Sequence, residues 1–181
     1  MKGLDVFSTK FFEHKIDTSD AYNIINEILR KRDQIKLISS TSQRQSTEVY
    51  QTDYTDPVKL ETFESIISKI NAQFEKYNAI FTLREYWASI YKFEGHHPLH
   101  NHSFGLTDYA NYSGILYLSS IGNTTFFSTS PTSFESSVDI QSEVGKIVLF
   151  PATLPHVYQP TFVESNERFV VAFNGNLINV Y

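Results

Sequence analysis

Gly145-Lys146-Ile147-Val148-Leu149-Phe150-Pro151 is a turn, a buried strand and a stop, and His156 follows five residues after the proline. Glycine permits the turn. Four apolar residues in a row fill a strand that is covered on both faces, and proline ends the ladder because it has no N–H to donate. Runs of this kind fill the chain beyond Tyr77. Short segments rich in β-branched and aromatic residues recur at 81–93, 99–103, 113–119, 124–128, 137–140, 146–150, 156–159 and 168–174. Gly122-Asn123 and Gly145 stand at turns between them.

The first part of the chain, 1–78, reads differently. A short strand with its connection is expected over 4–12. The segment 17–32 is helical by period, with Thr18, Ser19 or Asp20 as cap and Ile24, Ile25, Ile28 and Leu29 as one apolar stripe. A strand over 47–54 precedes a second helix opened by Asp56-Pro57, which carries Leu60, Phe63, Ile66, Ile67, Ile70 and Phe74 along one face. Two helices before many short strands imply one α+β domain, its β-part, 79–181, a sandwich or barrel buttressed by the helices.

Composition narrows the function classes. Apolar residues make up 41% and charged residues 19% of 181, the proportions of a globular domain with a real core. The absence of cysteine excludes disulfides and thiolate metal sites and fits a cytoplasmic location. No signal peptide or membrane span is expected, since Ser8, Thr9 and Lys10 interrupt the opening residues at once and no apolar run reaches roughly 20 residues. A formal charge of -5 argues against nucleic acid as partner. The basic run Arg30-Lys31-Arg32 is read as complementing a helix C-terminus. The 15 Phe and 11 Tyr suit pleated sheets with a packed interior.

Four of the six histidines fall at positions 96, 97, 100 and 102. On a strand, His100 and His102 point to one face, where two imidazoles can chelate one metal. Without a metal they are polar rings needing other partners, and Pro98, Asn101 and Ser103 around them equally allow an exposed loop. His156, after its own strand, adds the third ligand that a facing strand would have to supply. Three ligands leave open positions on the metal, as catalysis requires. Arg168 heads the apolar run Phe169-Val170-Val171-Ala172-Phe173. Pointed inward, its guanidinium fork needs an anion such as a carboxylate.

These residues together resemble a known family. Trp87-Ala88-Ser89-Ile90-Tyr91, Gly95, His100-Asn101-His102, Ser113-Gly114-Ile115-Leu116-Tyr117-Leu118, Gly145 through Pro151, His156, and Arg168 through Asn174 are similar to the iron(II)/2-oxoglutarate oxygenases. The branch is one common in phages and marine bacteria, distantly related to prolyl hydroxylases. The resemblance implies a double-stranded β-helix, jelly-roll or cupin-like, with N-terminal helices packed on one sheet. It implies Fe(II) on His100, His102 and His156, and 2-oxoglutarate with its distal carboxylate on Arg168. It further implies a hydroxylase that consumes dioxygen and acts on a peptide or small molecule.

Two positions depart from the family pattern. The second ligand position of the family is a carboxylate, and here it is His102; Asp108, six residues on, lies off the strand register. The family serine two residues after the arginine is Val170, which cannot donate a hydrogen bond, so Tyr91, Tyr117 or Tyr158 has to supply it. HxH and Gly145-x5-Pro151 with His156 also resemble the two cupin motifs, and three-histidine cupin dioxygenases make no use of 2-oxoglutarate. Arg168 separates the two readings. A jelly-roll module without catalysis is a third reading, with the Ser-, Thr- and aromatic-rich stretch 121–137 as contact surface rather than active-site lid.

Overall fold

In the computed structural model, which describes residues 2–6, 9–37, 47–52, 58–102, 110–129, 136–159 and 167–179, the chain opens with an antiparallel hairpin of β1 (Lys2–Val6) and β2 (Thr9–Lys15). Helix α1 (Thr18–Arg30), the short strands β3 (Lys36–Leu37) and β4 (Thr47–Gln51), and helix α2 (Glu61–Phe74) follow. The 22-residue strand β5 (Ala79–His100) leads into β6 (Tyr112–Tyr117), β7 (Asn123–Phe127), β8 (Ser137–Gln141), β9 (Lys146–Pro151), β10 (His156–Tyr158) and β11 (Arg168–Asn179). Among the described residues, no helix is long and apolar enough to cross a membrane.

Among the described residues, the pairings are all antiparallel, along the path β1-β2-β9-β6-β11-β5-β10-β7-β8, with β4 also on β5 and β3 on β4. Strand β5 carries the curl. Its first part, to Tyr91, pairs with β11, and its end, at His97 and His100, pairs with β10. Between them Glu94 adopts φ 60, and the register against β4 shifts between Tyr91 and His96. Such a bulge bends a strand and lets one ladder end and another begin. The result is a curled antiparallel sheet whose halves, β9-β6-β11-β5 and the end of β5 with β10-β7-β8, share one strand.

Period 2 sorts the apolar runs into two cores. On β9, Ile147 and Leu149 join one cluster and Val148 and Phe150 the other. On β11, Val171 and Phe173 go to the first and Val170 to the second. The first cluster includes residues of both helices; the second holds Phe11, Tyr91, Ile115, Tyr117, Phe126 and Tyr158. Each fully buried Leu, Val or Phe contributes about 1.5–3 kcal/mol of transfer free energy. Aromatic contacts run from α2 to the strands: Phe63 has ring centroids 5.0 Å from Tyr86 and 5.4 Å from Phe173. The Leu60 N–H donates to the Tyr86 hydroxyl at 2.9 Å, and the Phe81 N–H to Asn71 Oδ1 at 2.9 Å.

Several boundaries differ from those expected. The segments 81–93 and 99–103 are one strand that stops at His100, because the bulge at Glu94 bends the chain without ending its pairing. Strand β11 runs past Asn174 to Asn179, held by the matching start of β5. Helix α1 is capped by Asp17 without a side-chain hydrogen bond, and α2 begins at Glu61; Asp56-Pro57 lies outside the described residues. The six-residue face expected for the second helix, Leu60 to Phe74, is buried in full. Gly145 has φ +83, and a Cβ there would stand 2.8 Å from the Ile16 carbonyl oxygen, so its turn requires glycine.

Candidate metal centre

His100 ends β5 and His156 begins β10, and the register sets them opposite one another. Their ring centroids are 4.3 Å apart. His102 joins them by another route than strand alternation. It lies beyond the end of β5, where its N–H donates to the Ala152 carbonyl at 2.8 Å, and that bond ties the segment to the turn between β9 and β10. Its ring lies 5.3 Å from that of His100 and 5.1 Å from that of His156. One ring nitrogen of each histidine comes within 4.8 Å of the others.

The remaining nitrogens are all engaged. Nδ1 of His100 is 2.8 Å from the Pro98 carbonyl oxygen, and Nδ1 of His156 is 3.0 Å from that of Leu154. Nδ1 of His102 is 2.7 Å from Asn174 Oδ1 and 3.0 Å from Ser113 Oγ. A carbonyl oxygen only accepts, so each Nδ1 carries the proton and each Nε2 keeps its lone pair. Three imidazoles converging in this way form a donor set for a borderline divalent metal. His156 is buried against Phe126 and Phe150, ring centroids 5.6 and 5.0 Å away. That burial first, and the charge His100 and His102 would carry second, push its pKa well below the usual histidine value.

Arg168 starts β11 opposite Tyr91 and is 2% exposed. Its guanidinium carbon lies 3.7 Å from the Tyr158 ring centroid, 4.8 Å from that of Tyr91 and 5.5 Å from that of Tyr117. Its Nε is buried with no hydrogen-bond partner. Among the described residues, no carboxylate comes within 4.0 Å of it. The aromatic faces attract the cation but cannot accept its planar fork of donors. An unpaired buried donor costs about 1–3 kcal/mol, which a bound carboxylate would remove. Burial also pushes the Tyr91 hydroxyl up to about 12, with Arg168 opposing, and raises that of Tyr117.

The hydroxyls of two of these tyrosines already have partners. Tyr91 Oη is 2.8 Å from His97 Nδ1, and the Tyr117 hydroxyl donates to Thr124 Oγ1 at 2.9 Å. His97 therefore has a defined contact, and its ring centroid is 5.5 Å from that of His100. Trp87 is half-buried, its ring centroid 5.6 Å from that of His102. Asp108 and residues 130–135 of the stretch 121–137 lie outside the described residues. Sequence reasoning did not single out Glu85, Ser113 or Asn174 for the site. One signal was present: Asn174 is a polar residue closing an otherwise apolar run, and it is buried.

No protein-family model matches this chain, and no curated protein matches it. Solved structures do. A prolyl-4-hydroxylase from Pseudomonas putida superposes with TM-score 0.67 at 15% identity, over 92% of each chain. The prolyl hydroxylase of Trichoplax adhaerens, in complex with a hypoxia inducible factor peptide fragment, gives TM-score 0.68 at 13% identity, over 92% of this chain and 83% of that one. HygX from Streptomyces hygroscopicus, with nickel and 2-oxoglutarate bound, gives 0.64 at 12% identity, over 93% and 83%. The curled antiparallel sheet of this chain is thus the jelly-roll fold of the 2-oxoglutarate and iron(II) oxygenases.

Proposed function

We propose that the chain is an Fe(II)- and 2-oxoglutarate-dependent oxygenase that hydroxylates an unactivated C–H bond of a peptide or small molecule. His100, His102 and His156 are its metal ligands, and Arg168 pairs with the distal carboxylate of 2-oxoglutarate. The observation that carries this reading is the buried, unpaired Nε of Arg168 in the same curl as three convergent histidines. The finer architecture follows: residues 79–181 form a double-stranded β-helix, and the helices of 1–78 pack on one of its sheets.

When bound, iron with 2-oxoglutarate and dioxygen supplies oxidative decarboxylation of the cosubstrate and transfer of one oxygen atom to the substrate. The chain's own residues bind and orient. The Pro98 and Leu154 carbonyls and Asn174 fix the three ring tautomers, so each Nε2 is ready without rearrangement. Burial keeps His156 neutral at physiological pH, as a ligand must be. Arg168 sets the cosubstrate's direction by a charge-assisted fork, and Tyr158, Tyr91 and Tyr117 exclude water around it. Tyr91 and Tyr117 act here as walls, their hydroxyls being engaged by His97 and Thr124. The Trichoplax enzyme holds a peptide and HygX has been seen with hygromycin B, so both substrate classes occur on this fold.

A three-histidine dioxygenase of cupin type has no use for Arg168, which is why the 2-oxoglutarate reading leads. Fe(II) and 2-oxoglutarate added under argon should give the weak visible charge-transfer band of keto-acid chelation, lost in Arg168→Ala. Bound iron without a band would transfer the reading to the cupin type. No bound iron would leave a binding module.

A further inference from the structure

Strands β5, β11 and β6 lie side by side, and their register sets Asn174 opposite both Glu85 and Ser113. The β5–β11 ladder slips between Asn174 and Gly175, the kind of irregularity that re-aims a side chain. Asn174 and Ser113 are buried, His102 is half-buried, and Glu85 is exposed. Asn174 Nδ2 donates to Glu85 Oε1 at 2.7 Å. Asn174 Oδ1 faces Nδ1 of His102 at 2.7 Å and accepts from the Ser113 hydroxyl at 2.7 Å.

The direction of this chain of bonds is set at its outer end. A carboxylate only accepts, so Glu85 takes the NH2 end of the Asn174 amide and turns the oxygen end inward. An amide oxygen only accepts in turn, so Nδ1 of His102 must carry its proton and Nε2 must keep its lone pair. The two ends of an amide have nearly the same size. Released from Glu85, it can flip, place NH2 against Nδ1 and move the proton to Nε2, where it blocks ligation. His100 and His156 are fixed by backbone carbonyls, which have no such freedom. His102 Nδ1 instead meets two side chains, the Asn174 amide and, at the longer distance of 3.0 Å, the Ser113 hydroxyl, and it stands where the resembling family has a carboxylate, a ligand with no tautomers.

We propose that Asn174, keyed by Glu85, is the positioning residue that makes His102 a metal ligand, so the Glu85–Asn174–His102 relay is what allows histidine at this position. The inference rests on the metal reading above. Because Glu85 is exposed, its contribution is directional rather than a matter of charge.

The test uses the full-length protein with two readouts. The first is the His102 tautomer, from imidazole 15N shifts in metal-free protein; the second is Ni(II) affinity by calorimetry. Wild type should show the Nδ1–H form. Glu85→Ala, at an exposed position that leaves the fold intact, should give a tautomer mixture and a several-fold weaker Ni(II) site. Asn174→Leu should abolish the preference and weaken Ni(II) by roughly 10–100-fold. Glu85→Gln combined with Asn174→Asp reverses donor and acceptor in the outer bond, keeps an acceptor on His102, and should restore both readouts. A His102 tautomer and an affinity unchanged in Glu85→Ala and Asn174→Leu would overturn the inference while sparing the oxygenase reading. A wild-type chain that takes up no Ni(II) would overturn both.

Discussion

His100 and His156 face each other across the β5–β10 pair, with ring centroids 4.3 Å apart. The site is therefore assembled by strand register: a one-residue slip of β10 would carry His156 to the opposite face. The third histidine arrives from a bend, held by the Ala152 carbonyl. Two of the proposed ligands on paired strands and one on a pinned bend converge without a metal to gather them.

Removing a ligand should therefore cost more than disturbing its support. His156→Ala is expected to weaken Ni(II) binding beyond the roughly 10–100-fold typical of changes behind the ligands. Calorimetry on the two proteins checks this. An affinity within a fewfold of wild type would take His156 out of the ligand set.

Burial of His156 also predicts how stability varies with pH. Its folded pKa lies well below the usual value of about 6.5, mainly through desolvation. Below that value the unfolded chain takes a proton that the folded chain refuses, so stability falls as pH drops, by up to about 1.4 kcal/mol per unit. Above it the group contributes no slope. The fall levels off once pH passes the folded pKa, where both states are protonated. In metal-free protein, His156→Phe fills similar space without a titrating nitrogen and should flatten the loss of Tm on moving from neutral to mildly acidic buffer. Parallel curves for both proteins would assign the acid sensitivity elsewhere.

Much of this arrangement was legible from the residues, for definite reasons. The face Leu60, Phe63, Ile66, Ile67, Ile70 and Phe74 was readable because helical period leaves a clear stripe. The β9 run was readable because a strand between two cores is apolar at every position. That His100, His102 and His156 come together was suggested by the HxH spacing and by a lone histidine after a strand, while Pro98, Asn101 and Ser103 still allowed a loop; Arg168 stood out because it heads an apolar run. What escaped was relational. That β5 continues through Glu94 depends on pairing with β4 and β10. The link from Glu85 to His102 depends on register across three strands. A sequence records neither.

Packing between sheet neighbours yields a prediction independent of the metal. Gly114 on β6 lies opposite Phe173 on β11, and a Cβ there would stand 2.2 Å from the ring's Cζ. The ring cannot withdraw freely, because Phe63 and Phe81 press on it with centroids 5.4 and 5.9 Å away. Gly114→Ala should destabilise by about 1–3 kcal/mol, read by urea unfolding. Combining it with Phe173→Leu should cost less than the sum of the two changes, since the smaller side chain vacates the contested space. Simple additivity would mean that the ring is not the obstacle.

Arg168 allows stability and function to be separated in one variant. The residue is 2% exposed, its guanidinium faces three tyrosine rings, and its Nε has no hydrogen-bond partner. Burying such a group costs several kcal/mol that cation–π contacts of roughly 0.5–2 kcal/mol each only partly offset. Methionine has similar length, no charge and favourable contacts with aromatic rings. Arg168→Met should therefore leave unfolding free energy unchanged or raise it by about 1 kcal/mol, as replacement of buried charges by apolar groups often does. The same variant should lose 2-oxoglutarate binding by about 100-fold or more, since the carboxylate would then be buried unpaired. Chemical denaturation of the free protein and calorimetric titration of 2-oxoglutarate onto the Ni(II) form measure the two effects separately. A variant that unfolds far more easily than wild type would mean that Arg168 is held for the fold. Stability kept and 2-oxoglutarate still bound would move the cosubstrate carboxylate to another partner.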